Sequence, residues 1–348
     1  VRNPPHTDET THSLVGLFMR DLARDLLANP TLSFNKIYNY ALSYSTYYPH
    51  LSLHYPPLPQ MFFATAYSLF GASLIVSRLV ILAMSAVMAV VVYYFAFNVF
   101  KDKRVAIIAA LIVATSPIVV SLSVLAMQEI PFILFFTLAM MWFYRIKESP
   151  VIKNYLILSL LIVLAILSKW QAITILPVML IYVLLFNKKV LKHILLSFII
   201  SGLILLPYYF VLWKVGILLL PLAANLEAEA TDPTWMQLEG WTYYLNAIVS
   251  DQFFLPVGIL VLGSTIFYLY NRNKDWQFFA TWILVVYLMM VIIHNKDARY
   301  TVNILPAFAI PAAYIIYNYG KKFVNQSIFY IIISVLIISQ FVLSVINI

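Results

Sequence analysis

Long apolar runs separated by short polar gaps dominate the chain, and their lengths predict its elements. Runs near 73–100, 105–124, 128–145, 152–168, 170–187, 190–213, 253–271, 276–294, 300–318 and 325–346 approach the roughly 20 mostly apolar residues that an α-helix needs to cross a bilayer. About ten transmembrane helices in an all-α polytopic membrane protein are therefore expected. Two other segments differ. Over 10–28, Leu14, Phe18, Leu22 and Leu26 recur every four residues, while Arg20, Asp21, Arg24 and Asp25 fall on other faces. That pattern predicts an amphipathic helix lying in the headgroup layer. A short helix is predicted over 57–70, opened by Pro56-Pro57 and closed near Gly71, too short to span.

The pattern divides a single membrane domain over 1–348 into four parts. These are a first outer segment (1–72), transmembrane helices (73–213), a second large outer segment (214–252) and transmembrane helices (253–348). No internal repeat is evident. Between the two short helices of the first segment lie Tyr38, Tyr40, Tyr44, Tyr47, Tyr48 and Tyr55. They read as interfacial anchors or as a stacking surface for a sugar or lipid headgroup. Segment 214–252 carries Glu227, Glu229, Asp232, Glu239 and Asp251 with Trp235 and Trp241. It reads as a solvated loop or as a lid over a site.

Charge orients these elements. Five gaps (101–104, 145–153, 188–192, 272–275 and 321–322) hold 13 of the 22 Lys/Arg and 3 of the 14 Asp/Glu, a net of +10. The rest of the chain, with 9 basic and 11 acidic residues, carries −2. Cytoplasmic loops accumulate Lys and Arg, so the five gaps face inward and the alternate ones outward. The net charge of +8 is thus a membrane-orientation signal and not a nucleic-acid footprint. Composition agrees: the chain is 63% hydrophobic and 10% charged, against about 25% charged for soluble domains. No cysteine is present, which excludes disulfides and thiolate chemistry. The chain begins at Val1 on the side read as outer, so an N-terminal helix is expected to precede it.

The charged residues assigned to the outer side are the candidates for chemistry. Asp8 and Glu9 are adjacent carboxylates before the amphipathic helix; acids there also complement a helix dipole. Glu129 stands at the outer start of a span, followed by Pro131, where an acid is either functional or a helix-start residue. Lys169 occupies a tight turn between two apolar runs, meeting a headgroup-level anion or snorkelling. Arg299 suits bidentate phosphate recognition, or a surface pair with Asp297. Dispersed in sequence, all five fall at one end of the expected bundle. Carboxylates and cations so gathered are a default active-site hypothesis.

At this point the chain resembles a known family. The outer Asp8-Glu9 pair is followed by His54-Tyr55-Pro56-Pro57-Leu58, Leu69-Phe70-Gly71, Ser77-Arg78-Leu79, Leu167-Ser168-Lys169 and Ala298-Arg299-Tyr300 before Leu305-Pro306. In this order the segments resemble the GT-C membrane glycosyltransferases, in the branch of protein O-mannosyltransferases and lipid A aminoarabinose transferases. The resemblance implies a GT-C fold. It also implies transfer of a sugar from a polyprenyl phosphate to a hydroxyl-bearing protein, lipid or glycan acceptor at the outer face, with inversion and no covalent intermediate. The expected setting is a prokaryotic plasma membrane with an extracytoplasmic site.

By the same resemblance Asp8 is the base or acceptor-positioning carboxylate, with Glu9 its partner. Lys169 and Arg299 contact the donor phosphate, and Glu129 matches in position. Glu129, His54, Tyr55 and Arg78 are possible substrate contacts. Some relatives use a divalent metal. Outer histidines that could hold one are His6, His12, His50, His54 and His294, with His12, His54 and Glu129 the nominated ligands. The chain departs from the family where a Lys-Gly-Pro-like segment reads Lys169-Trp170-Gln171. The rival reading is a transporter or flippase of lipid-linked glycans. Transporters bind near the midplane, whereas the mid-span stretches here carry almost no charge.

Overall fold

The computed structural model describes residues 7–28, 33–48, 51, 53–149, 151–214 and 232–346. All regular elements among them are helical. The chain starts with α1 (Thr7–Ala28), α2 (Phe34–Tyr47) and α3 (Leu58–Phe70). Apolar helices follow: α4 (Leu74–Phe100), α5 (Lys103–Ala114), α6 (Pro117–Ser123), α7 (Glu129–Ile146), α8 (Ile152–Ser168), α9 (Ile175–Phe186) and α10 (Leu191–Lys214). Within segment 214–252 lies α11 (Leu238–Ala247), and after it come α12 (Leu255–Tyr270), α13 (Trp276–Ile292), α14 (Leu305–Phe323) and α15 (Gln326–Ile346).

Among the described residues, five helices are long and apolar enough to cross a membrane by themselves. Among them Ala298–Phe323 is 89% and Glu129–Ile146 78% buried inside the bundle, whereas Leu74–Phe100, Lys188–Lys214 and Gln326–Ile346 are 28% or less. So α7 and α14 form the centre, and α4, α10 and α15 the rim that meets lipid. Four shorter apolar helices, Ile152–Ser168, Trp170–Phe186, Leu255–Tyr270 and Trp276–Ile292, complete most of the remaining expected segments. The chain is thus a multi-pass membrane protein with fewer full-length spans than the apolar runs suggest.

One expected span is broken. The 105–124 run is two helices, α5 and α6, bent by 65°. Pro117 lacks an N–H and disfavours helical backbone at Ser116, so the ladder stops there. Inside lipid the carbonyls so released need partners. Gln340, buried in the rim helix α15, donates to the Ile112 carbonyl (3.1 Å) and to Thr115 Oγ1 (2.9 Å), and Ser344 Oγ donates to the Thr115 carbonyl (3.2 Å). Ser116 itself donates to the Gln252 carbonyl. The polar side chains of an otherwise apolar helix are thereby explained.

α1 and α3 lie close to the helices expected over 10–28 and 57–70, and α2 is a helix that was not expected. α3 starts after Pro57 and ends at Gly71, whose φ of +83° is a conformation that favours glycine. α1 lies against α3 through Gly16, where a Cβ would stand 2.7 Å from that of Phe63. α2 is fastened to α1 by its tyrosines: Tyr44 donates to Asp21 Oδ2 (2.9 Å) and Tyr40 to Asp25 Oδ2 (3.1 Å). Tyr40, Tyr44 and Tyr48 stack in succession. Tyr40 and Tyr44 therefore hold α2 to α1. Glu227 and Glu229 lie outside the described residues.

Candidate active site

α1 begins at Thr7, so Asp8 and Glu9 both sit in its first turn. Successive residues on an α-helix point about 100° apart, and the two carboxylates part company. Glu9 is fully buried. Its oxygens receive Arg78 Nε (2.7 Å) and Nη2 (2.8 Å), and Oε1 also accepts the Ala126 N–H (2.8 Å). This fork-to-fork pair ties α1 to α4 and to the loop before α7. Glu9 and Arg78 direct these polar atoms to each other.

Asp8 instead lines a polar cavity of about 160 Å3 with His12, His54, Tyr55, Glu129, Lys169 and Arg299. Glu129, the first residue of α7, and Lys169, at the end of α8, form an ion pair of 2.7 Å between buried side chains. Arg299 Nη1 stands 3.7 Å from Asp8 Oδ2 and 3.8 Å from Glu129 Oε1. Its other edge is held by Asp297, which caps the 3-10 turn Ala298–Ile304 through the Arg299 N–H (2.8 Å) and accepts from Arg299 Nε (2.7 Å). Arg299 is thus Asp297's partner through Nε, while its Nη1 faces Asp8 and Glu129. Lys169 Nζ lies 5.4 Å from the centre of the Tyr300 ring. Glu129 Oε2 is buried and has no hydrogen-bond partner among the described residues.

A neutral layer lies beneath. The Gln60 amide satisfies its neighbours when its oxygen faces His12 Nδ1 (3.0 Å) and Gln128 Nε2 (3.1 Å), with its nitrogen on the Pro56 (2.8 Å) and Pro57 (3.2 Å) carbonyls. His12 Nδ1 is then the N–H donor, and Nε2 carries the lone pair. Tyr55 packs edge-on against the His12 ring at 4.6 Å and beside His54 at 4.1 Å. The Trp170 indole donates to the His54 carbonyl (3.3 Å). Gln60, Gln128, Trp170 and Tyr300 escaped assignment from sequence. The one available signal was an uncharged amide at the start of an apolar helix.

Burial holds the His12 imidazole down at about 4, from an ordinary 6.5, against the pull of the Glu129 and Asp8 carboxylates. Burial lowers His54 as well. The unfolded chain protonates His12 more readily than the folded one, so this residue's contribution to stability is full above pH 6.5. It should fall by about 3 kcal/mol as pH drops towards 4. Thermal unfolding at pH 7 and pH 5 should show a steeper loss for the parent than for His12→Gln; equal losses would remove His12 as the titrating group.

His12 Nδ1 faces Gln60 and Glu129 Oε1 accepts from Lys169, so the atoms left to a ligand are His12 Nε2 and Glu129 Oε2. Among the described residues no three His, Asp or Glu side chains form a group that could hold a metal. His6 and His50 lie outside the described residues, and His294 is not among the cavity's lining residues.

Comparison with known proteins agrees with this architecture. Residues 54–213 match the family described as dolichyl-phosphate-mannose-protein mannosyltransferase. An uncharacterized protein of Aquifex aeolicus (strain VF5) is 25% identical over 311 residues, covering 86% of this chain and 60% of its own length. The fold resembles apo ArnT from Cupriavidus metallidurans, with a TM-score of 0.66 at 16% identity over 92% of this chain and 57% of that one. It also resembles the oligosaccharyltransferase AglB of Archaeoglobus fulgidus, solved with an inhibitory peptide and a dolichol phosphate. Here the TM-score is 0.58 at 14% identity, over 84% of this chain and 48% of that one. The chain spans about 60% of the length of the curated relative it matches.

The fold is that of the GT-C membrane glycosyltransferases. The sequence match to the mannosyltransferase family covers residues 54–213, less than half of the chain.

Proposed function

We propose that the chain carries the catalytic site of a glycosyltransferase that moves a sugar from a polyprenyl phosphate to an acceptor hydroxyl. The observation that carries this reading is a shared wall. His54 and Tyr55 line the polar cavity and also an apolar groove of about 530 Å3 running between α1, α2 and α10. A ligand with a charged head and a long apolar tail fits both compartments at once. ArnT has been solved with undecaprenyl phosphate bound, and AglB with a dolichol phosphate.

In this reading Lys169 and Arg299 hold the donor phosphate. Asp8 accepts the proton of the acceptor hydroxyl as its oxygen attacks the anomeric carbon. The bond from that carbon to the phosphate oxygen breaks, the carbon is inverted, and the phosphate leaves with charge that the two cations stabilise. Glu129 orients both cations through Oε1, while Oε2 is available to a substrate hydroxyl. Glu9 and Arg78 position α1 and hence Asp8. The charge asymmetry of the loops supports an extracytoplasmic site in a prokaryotic plasma membrane. The gathering of ionisable groups at the start of α7, a full helix away from the opposite end, favours an enzyme over a transporter with a midplane site.

The test is transfer by the purified protein in lipid nanodiscs. A labelled polyprenyl phosphate sugar should be consumed, with release of polyprenyl phosphate dependent on an acceptor. Movement of the intact donor across proteoliposomes without its cleavage would favour the flippase instead. Labels at Asn35 should react from outside intact cells, and labels at Asn187 should not; the reverse would overturn the assigned face.

A further inference from the structure

Far from the Asp8 cavity, at the other end of the 18-residue α7, lies a second polar cavity of about 480 Å3. It is separated from Glu129 by a helix roughly 27 Å long at 1.5 Å per residue. Its charged lining comes from three places. Lys101 ends α4, Arg145, Lys147 and Glu148 end α7, and Lys274 and Asp275 form the turn before α13.

The charges separate into a neutralised floor and a positive rim. Asp275 receives Lys147 Nζ and the Tyr144 hydroxyl (2.6 Å), and Lys147 is buried. That carboxylate is thereby drawn off the N-terminus of α13, which it does not cap. Around the opening stand the exposed side chains of Lys101, Arg145 and Lys274, against Glu148 alone. Their charged groups have local contacts. Lys101 lies over Phe97, Arg145 over Trp142, and Lys274 Nζ donates to the Val99 carbonyl (3.3 Å) at the end of α4. Each lysine retains donors beyond these contacts. The start of α13 adds the partial positive charge of a helix N-terminus.

The backbone is unusual at the same place. Lys101 (φ +56°), Arg272 (φ +48°) and Asp275 (φ +57°) are the non-glycine residues with positive φ among the described residues. All three belong to the two turns that border this cavity. Left-handed backbone at such residues is uncommon and recurs at ligand clamps. Glycine would relieve it, yet basic side chains stand at two of the three positions.

We infer that this cavity is a binding site for a phosphate group, recognised by Lys101, Arg145 and Lys274. Donors converging from three helix ends suit a tetrahedral anion with oxygens on several sides better than a planar carboxylate. The phosphate can belong to an anionic phospholipid headgroup of the leaflet at this end, or to a soluble phosphate compound. The inference does not depend on the chemistry proposed for Asp8.

The experiment compares two probes on the full chain in nanodiscs. One is phosphatidylglycerol, titrated against phosphatidylcholine and read as lipid retained by native mass spectrometry. The other is radiolabelled inorganic phosphate, read by equilibrium dialysis. Lys101→Gln/Arg145→Gln/Lys274→Gln should lower binding of at least one probe by about tenfold or more, since each cation near the surface contributes about 1 kcal/mol. The charge-keeping Lys101→Arg/Lys274→Arg should retain binding, which separates loss of recognition from loss of fold. Lys188→Gln/Lys189→Gln/Lys192→Gln removes three cations that do not line the cavity and should leave the binding of inorganic phosphate nearly unchanged. Binding of phosphatidylglycerol alone assigns the lipid source. Binding of free phosphate alone assigns a soluble ligand, and binding of both means that the phosphate group suffices. Binding of neither, or an equal loss in the control variant, overturns the site.

Discussion

Asp8→Asn should lower sugar transfer by about 100-fold or more, because general base catalysis contributes 10²–10⁴. The substitution keeps the size and shape of the side chain and removes its ability to take a proton. It should not disturb α1, whose anchorage runs through Glu9, Arg78 and the Ala126 N–H. Binding of the polyprenyl phosphate sugar should therefore be nearly kept, and the loss should fall on kcat more than on KM. Glu9→Gln makes the informative contrast. It removes one charge of a buried ion pair, so it should cost stability first, and activity only through the position of Asp8. Single-turnover transfer at saturating donor distinguishes the two. Parental turnover in Asp8→Asn would demote Asp8 to a residue that merely complements the α1 dipole.

Lys169→Met should reduce transfer by 10²–10³, the scale seen when a donor to developing charge is removed. It also strips Glu129 of its 2.7 Å partner. An uncompensated buried carboxylate costs about 3–5 kcal/mol, so the single variant is expected to be unstable as well. The double variant Lys169→Met/Glu129→Gln resolves the ambiguity. With both charges gone, thermal stability should return towards that of the parent, while donor binding and transfer should stay low. Lys169→Arg should recover part of the activity, limited by the altered geometry of the fork. Transfer at the parental rate in the double variant would leave Lys169 as no more than the counter-ion of Glu129. The phosphate would then have to meet Arg299 alone.

Much of this architecture is written in local features of the chain. A run of about 20 apolar residues has few alternatives to a membrane helix, because backbone polar groups in lipid must be satisfied internally. α3 is delimited by Pro57 and Gly71 because proline starts a helix well and glycine tolerates the conformation that ends one. The convergence of Asp8, Glu129, Lys169 and Arg299 was likewise legible. Counting alternate crossings puts all four at one end of the bundle, and the cavity does contain them.

Other features had no local signal. The break between α5 and α6 could be suspected at Pro117. That it persists, with its carbonyls satisfied, depends on Gln340, which lies 228 residues from Ile112. Asp8 and Glu9 look equivalent as neighbours in sequence. Helical rotation sends one to the cavity and the other to Arg78, 69 residues away.

The sequence by itself therefore determined the class of fold and the end of the bundle where the charged groups meet. Hydropathy and loop charge act through the bilayer, which every segment feels independently. Only the tertiary structure decided which carboxylate faces the cavity, that Glu129 restrains Lys169 and Arg299, and that Gln60 and Gln128 set the tautomer of His12. Those are contacts between side chains on separate helices. Their geometry follows from how the helices pack, through close approaches such as that of Gly16 to Phe63, and not from the composition of any one segment.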